Sequence, residues 1–316
     1  MSPFRSAWSL HGVSLSCIAR RIWKSILADR LFDRAAELGF YFLFSLFPTL
    51  FSASSILGLA ARSAEQFYDK ILSYLALVIP TAALGTVLST FNETTAASTP
   101  GKLTFGLIAS IWSASVGISA IQDSLNAVYK IQNTRSYLAA RMQAIGLTVV
   151  LTTLLTGILS ALLGGDFVAA LANHFIREPF PKIAAGMAAR LIGWVTATAL
   201  LILSFALIYY WAPDLKTRRW HWLTPGSAAG ILGWLLASIG LRIYLHFFNT
   251  YSITYGSLGA VIILLTWFYI TGLMLLVGAE IDSELEAAAS ELGPHSPAHP
   301  ANEQFIEMQE DETLPN

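Results

Sequence analysis

Long uncharged runs alternate with short charged segments along most of this chain. Six runs, at about 35–61, 103–128, 142–164, 186–212, 224–248 and 256–279, are each long enough to cross a bilayer core of about 30 Å as a helix. The last is the clearest. From Ser257 to Ala279 there are 23 residues without a charge, and Glu280, Asp282, Glu284 and Glu286 follow directly. A soluble helix of that length shows a polar face, and this one shows none. The pattern predicts an all-α polytopic membrane protein, a bundle of six transmembrane helices.

A seventh apolar stretch, 71–91, is interrupted by Pro80. Basic residues decide whether it crosses, because Lys and Arg in short loops set orientation. With six spans and an inner N-terminus, the inside collects six basic residues before Ala35, then Lys130, Arg135, Arg141, Lys216, Arg218 and Arg219. The outside receives only Arg62, Lys70, Lys102, Arg177 and Lys182. A seventh span would nearly level the two sides. Six spans follow, with 62–102 as an outer loop carrying surface helices, and both termini cytoplasmic. The short outer turn between the fifth and sixth spans predicts that they form an antiparallel pair.

Ahead of the first span, 14–34 carries Ile18, Ile22 and Ile26 at helical spacing, with Arg20, Arg21, Lys24 and Arg30 on other faces. This is a basic amphipathic helix, which either lies on the anionic leaflet or packs on the bundle. The division expected is a basic cytoplasmic segment at 1–34, a six-helix domain at 35–286, and an acidic, Pro-containing disordered tail at 287–316. The first run begins behind a polar-mixed segment, so the first span is expected to insert as an uncleaved signal.

Composition agrees with the membrane reading. Hydrophobic residues make up 55% and charged residues 12%, against about 25% charged in globular domains. The net charge of −1 argues against nucleic acid as a partner. One cysteine, Cys17, leaves no intramolecular disulfide and no Cys-rich metal site.

Polar stripes run along two spans. The first carries Glu37, Tyr41, Ser45, Pro48, Ser52 and Ser55 at spacings of three and four. The second carries Ser115, Ser119, Gln122, Asn126 and Lys130, with Asp123 beside the line. Stripes of this kind face a bundle interior or a watery cavity, where they either line a path or cross-bond helices. Intramembrane acids are expensive, so Glu37, Asp123 and Glu280 point to a polar pathway or to ion pairs, with Arg135, Arg190 and Arg242 as candidate charge partners. Pro48 predicts a kink, as a hinge or as a fixed bend. Gly226, Gly230, Gly233, Ala237 and Gly240 form a small-residue groove for close helix packing, within the bundle or at a homodimer seam.

At this point the chain resembles a known family. The runs Tyr255-Gly256-Ser257-Leu258-Gly259-Ala260, Leu265-Thr266-Trp267-Phe268-Tyr269 and Leu276-Val277-Gly278-Ala279-Glu280 are similar to those of the YihY/virulence factor BrkB family of bacterial inner-membrane proteins. Phe44-Ser45-Leu46-Phe47-Pro48, Leu125-Asn126-Ala127-Val128-Tyr129, Arg135, Pro213 and Pro225-Gly226 match as well, so the likeness spans roughly 20–285. The resemblance implies six membrane helices in the bacterial inner membrane and no established activity. Some members carry an old label as a transfer-RNA-processing ribonuclease, and some a link to serum resistance.

The ribonuclease label does not suit these residues. Metal-dependent hydrolysis needs clustered ligands, and His11, His174, His221, His246, His295 and His299 are scattered. No P-loop, G-x-S-x-G or dinucleotide fingerprint occurs. No metal or cofactor is therefore expected, and no enzyme. The leading expectation is a protein that moves or binds a small solute, lipid or ion along a polar path. A structural role with an envelope-protein partner is the alternative, and a lipid-modifying enzyme using Glu37 with Asp123 is the third.

Overall fold

The computed structural model describes residues 15–59, 100–131, 134–175, 178–215, 223–247 and 257–291. These form seven helices: α1 (Leu15–Ala28), α2 (Leu31–Leu59), α3 (Pro100–Val128), α4 (Tyr137–Phe175), α5 (Pro179–Trp211), α6 (Pro225–Phe247) and α7 (Ser257–Glu291). Five of them, α3 to α7, are long and apolar enough to cross a membrane. The sixth expected span falls within α2, whose last ten side chains lie outside the described set, and the expected surface helices of 62–102 lie largely outside it too. The tail of 287–316 was expected to be disordered throughout, yet α7 continues to Glu291. At 1.5 Å per residue its 35 residues run about 52 Å, well beyond a core of about 30 Å.

Helix α7 is the hub, packing against α1, α2, α3 and α6. Small residues let backbones meet. A Cβ on Gly39 would sit 3.1 Å from the Tyr269 nitrogen, and one on Gly272 would sit 3.0 Å from Leu38 Cβ. Rising numbers on α2 meet falling numbers on α7, so the two are antiparallel. The same holds for α6 and α7, where Gly230 faces Met274 and Trp234 donates to Thr271. The antiparallel pair expected for the last two spans is thus present. Helices α4 and α5 form a second antiparallel pair, with Gly193 against Ala161 and Gly165 against Ala189.

The core is built on Leu31, Leu38, Leu125, Leu147 and Leu276, all buried, together with Ile121, Val128 and Ala279. Exposed apolar side chains cover the rest of the bundle, including Trp112, Leu155, Leu191, Val195, Leu236 and Ile239. In water such a surface would aggregate; in lipid it is solvated.

One end of the bundle gathers α1, the start of α2, the end of α3, the start of α4, the end of α5, the start of α6 and the far part of α7. Contacts across it join Arg21 to Glu284, Val128 to Ser283, Arg135 to Ala212 and Gly226 to Asp282. We call this the α1 end.

Candidate functional site

Helix α1 stops because Arg30 adopts a left-handed φ of 53°, and the chain turns at once into α2. Helix α3 stops in the same way. Ile131 N–H donates to Asn126 O at 2.8 Å and Lys130 N–H to Ala127 O at 2.9 Å, a Schellman closure with Lys130 at φ 55° where glycine is usual. A non-glycine residue in that conformation costs about 1–2 kcal/mol. In return the turn delivers the Lys130 ammonium to Glu284, 3.4 Å away.

Glu284 is surrounded by donors. Arg21 Nε donates to it at 3.1 Å and the Ser25 hydroxyl at 2.7 Å, beside Lys130. These three fasten α1 and the end of α3 to α7. On α1 and the residue that closes its last turn, Arg21, Ser25 and Asp29 follow one another at four-residue intervals, and on α7 so do Glu280 and Glu284, so two polar ladders lie along neighbouring helix faces. Ile18 and Ile26 of α1 are buried and Ile22 partly so. Trp23 and Leu27 point outward.

Glu280 sits one turn inside Glu284 and is wholly buried, and neither of its carboxylate oxygens has a hydrogen-bond donor. Asp29 Oδ2 is buried and unbonded as well. Ser25 lies near Glu280, but its single proton goes to Glu284. Asp29 has its carboxyl pushed up by burial, with Lys130 and Arg34 pulling the other way.

Asp282 faces α6. Its carboxylate accepts from Gly226 N–H at 2.7 Å and from the Thr224 hydroxyl at 2.5 Å, while Thr224 and Ser227 cap each other. Pro225 opens the helix where its missing N–H costs nothing, and an anion at a helix N-terminus is favourable. Gly226 is required here by close approach, because a Cβ would collide with the Gly278 carbonyl and sit 2.5 Å from Asp282 Cγ.

A third arrangement locks the loop after α3. Arg135 pairs with Asp214 at 2.9 Å and donates to the carbonyls of Ala212 and Pro213 at the end of α5. Asp214 also accepts from the Thr134 hydroxyl and N–H, and its own N–H donates to Asn126 Oδ1. The Thr134 hydrogen bonds, aided by Arg135, hold the Asp214 carboxyl below its usual range.

The expected stripes are only partly realised. Glu280 is interior, but Glu37 and Asp123 are exposed on the bundle; the charge acting on Asp123 is Arg34. The structure therefore does not gather the three acids in one interior path. Ser45 and Pro48 are partly buried. The hydroxyls of Ser45, Ser115 and Ser119 donate to carbonyls of their own helices, three or four residues back, rather than cross-bonding. The exception is Ser119, which also accepts from Arg141 at 3.3 Å, a guanidinium stacked 4.2 Å over Trp112. Asn126 and Arg135 serve the α5 lock. Arg190 pairs with Asp166 across the α4–α5 hairpin at 3.2 Å, and Arg242 is half-buried on α6. In the glycine groove, Gly226, Gly230 and Gly233 receive α7, whereas a Cβ on Gly240 would meet nothing within 4 Å. Among the described residues, no three His, Cys, Asp or Glu side chains converge to hold a metal ion.

The family profile described as virulence factor BrkB matches residues 22–302. The chain belongs to that family. A Bacillus subtilis protein named ribonuclease-like, YfkH, is 32% identical over 254 residues, covering 80% of this chain and 89% of that protein. A UPF0761 membrane protein of Xanthomonas oryzae is 26% identical over 270 residues, 85% of this chain, and XAC0937 of Xanthomonas axonopodis is similar to the same degree. This chain spans about 60% of the Xanthomonas proteins' length. No solved structure matches it. The family is one of integral membrane proteins, and the apolar exterior of the helices is what that family requires. Pro225-Gly226, and Asn126, Arg135 and Pro213, on which the sequence resemblance is read, fall on the α6 cap and the α5 lock.

Proposed function

We propose that this protein is a six-span bacterial inner-membrane protein that binds and moves a small solute or ion, with both termini cytoplasmic and α1 against the inner leaflet. The observation that carries the reading is Glu280: a carboxyl group at the end of the longest uncharged run, wholly buried, with neither oxygen hydrogen-bonded. Purely structural acids nearby, such as Asp282 and Glu284, are saturated with donors. Intramembrane carboxyls left open in this way mark ion and proton pathways. The positive-inside count supports the orientation, and the exposed Trp23, Leu27, Arg20 and Lys24 of α1 suit an anionic surface. The sixth span is assigned to α2, which runs antiparallel to both α3 and α7. The bilayer is the partner, with self-association or an envelope protein as further partners.

The ribonuclease-like name of the Bacillus relative describes that protein, and the role proposed here is a non-enzymatic one. A structural role is favoured by a specific observation too, since Ser119, Arg135, Asp214, Asp282 and Glu284 each fasten one element to another. Purified protein in lipid vesicles, screened against ions and metabolites by transport current, separates the two. Solute-dependent current lost in Glu280→Gln supports transport; a stoichiometric partner on purification, with no current in any condition, supports the structural role.

A further inference from the structure

We propose that Glu280 and Asp29 form a proton-binding site at the α1 end of the bundle, with Glu280 held as the neutral acid. This deepens the transport reading and rests on it only for its physiological use. Three buried carboxylate oxygens there, both of Glu280 and Oδ2 of Asp29, are left without a donor, since Ser25, the hydroxyl within reach of Glu280, gives its proton to Glu284. An ionised carboxylate in that condition is strongly unfavourable, and such groups neutralise instead. A proton on Glu280 turns an acceptor-only group into a donor and supplies the hydrogen that the oxygens lack.

The groups facing the site from each packed helix are committed elsewhere. From α1, Arg21 and Ser25 donate to Glu284. From α2, Arg34 donates to the Asp29 backbone carbonyl at 3.1 Å. From the end of α3, Lys130 reaches Glu284, and Tyr129 brings no charge at neutral pH. From α7 itself, Glu284 adds repulsion and Asp282 is bound to the α6 cap. Helix α6 offers no charged group to Glu280 among those acting on it. A metal ion fits less well, because the described His, Cys, Asp and Glu residues do not converge in a set of three. Losing the proton would place a negative charge beside Asp29 and Glu284 at the seam between α1 and α7, loosening the very contact that Glu284 fastens.

The sign of the pH effect follows. A proton bound in the folded state and released in the unfolded state makes stability fall as pH rises. Burial pushes Asp29 in the same direction.

Infrared spectroscopy of the full-length protein in lipid vesicles, titrated across about pH 5 to 8, tests the proposal. The wild type should show a protonated-carboxyl stretch that shifts when glutamate is supplied with a 13C carboxyl group, a measurement that needs no variant. Glu280→Gln should remove that band, fold normally and flatten the decline of melting temperature with pH; Asp29→Asn should shift the band and keep it. No glutamate-sensitive band, or one that survives in Glu280→Gln, overturns the site. So does Glu280-dependent stabilisation by sodium or potassium at fixed pH without such a band, which would mean a metal cation in its place. The band appearing while transport currents are absent would sink the transport reading and leave the proton site standing.

Discussion

Gly226→Ala should open the seam between α6 and α7. The new methyl group would overlap the Gly278 carbonyl and press on the Asp282 carboxylate, both on α7. The carbonyl is backbone and the carboxylate is held by Thr224 and Gly226, so the helices must separate. Overpacking of this kind costs about 1–3 kcal/mol. Separation also stretches the charged hydrogen bond from Gly226 N–H to Asp282, worth about 1.5–3 kcal/mol. Alanine returns about 0.5–1 kcal/mol through helix propensity. The net expectation is a loss of about 1.5–5.5 kcal/mol, which is roughly tenfold to ten-thousandfold in the folding equilibrium. In lipid, packing and hydrogen bonds carry helix association, so little else compensates. Reversible unfolding in mixed micelles measures the change directly. Gly240→Ala is the control, because its Cβ would enter open space and should leave stability unchanged or slightly raised. Asp282→Ala combined with Gly226→Ala should cost less than the two changes added together, since both break one contact. Wild-type stability in Gly226→Ala, or equal damage from Gly240→Ala, would refute the close approach of α6 and α7.

Other consequences can be measured with the same preparations. Arg135→Ala strands Asp214 and two carbonyls at the end of α5, and should destabilise by about 3 kcal/mol in the same unfolding assay. Asp214 is held below its unfolded value of about 3.9, so its stabilisation is present above that pH and is lost as pH falls through the lower folded value; Asp214→Asn should remove this acid-side loss from a melting series. Glu284→Gln should release α1 and speed tryptic cleavage after Arg20, Arg21 and Lys24, with the bundle otherwise intact. Arg190→Ala breaks an exposed pair and should move stability by no more than about 1 kcal/mol.

The helices were legible in the sequence because the membrane imposes a coarse rule: about 20 uncharged residues make a span. The last pair was legible from its short turn, and the glycine groove from its spacing of three and four. The groove was not legible at its far end, since Gly240 satisfies the spacing and touches nothing. Spacing reports a face, but the partner's tilt decides how much of that face is used. For the same reason Glu37 and Asp123 were expected inside and are exposed, whereas Glu280 is interior. Helical periodicity places residues relative to one another and says nothing of which way the helix is rotated. Ser25 and Glu284 were missed because the groups they bond are more than 100 residues away in the chain. The matching four-residue intervals on α1 and α7 were the available signal. Positive φ at Arg30 and Lys130 had no signal at all, because neither is the glycine that usually marks a left-handed turn.

The most direct test of the central claim is electrical. Wild-type and Glu280→Gln protein, reconstituted in equal amount and orientation in lipid vesicles, should be compared for current under imposed gradients of protons, inorganic ions and small metabolites. The wild type should carry a current for at least one of these, and Glu280→Gln should lose it while remaining folded. Identical currents in the two proteins, or none in either across the whole series, would contradict the claim.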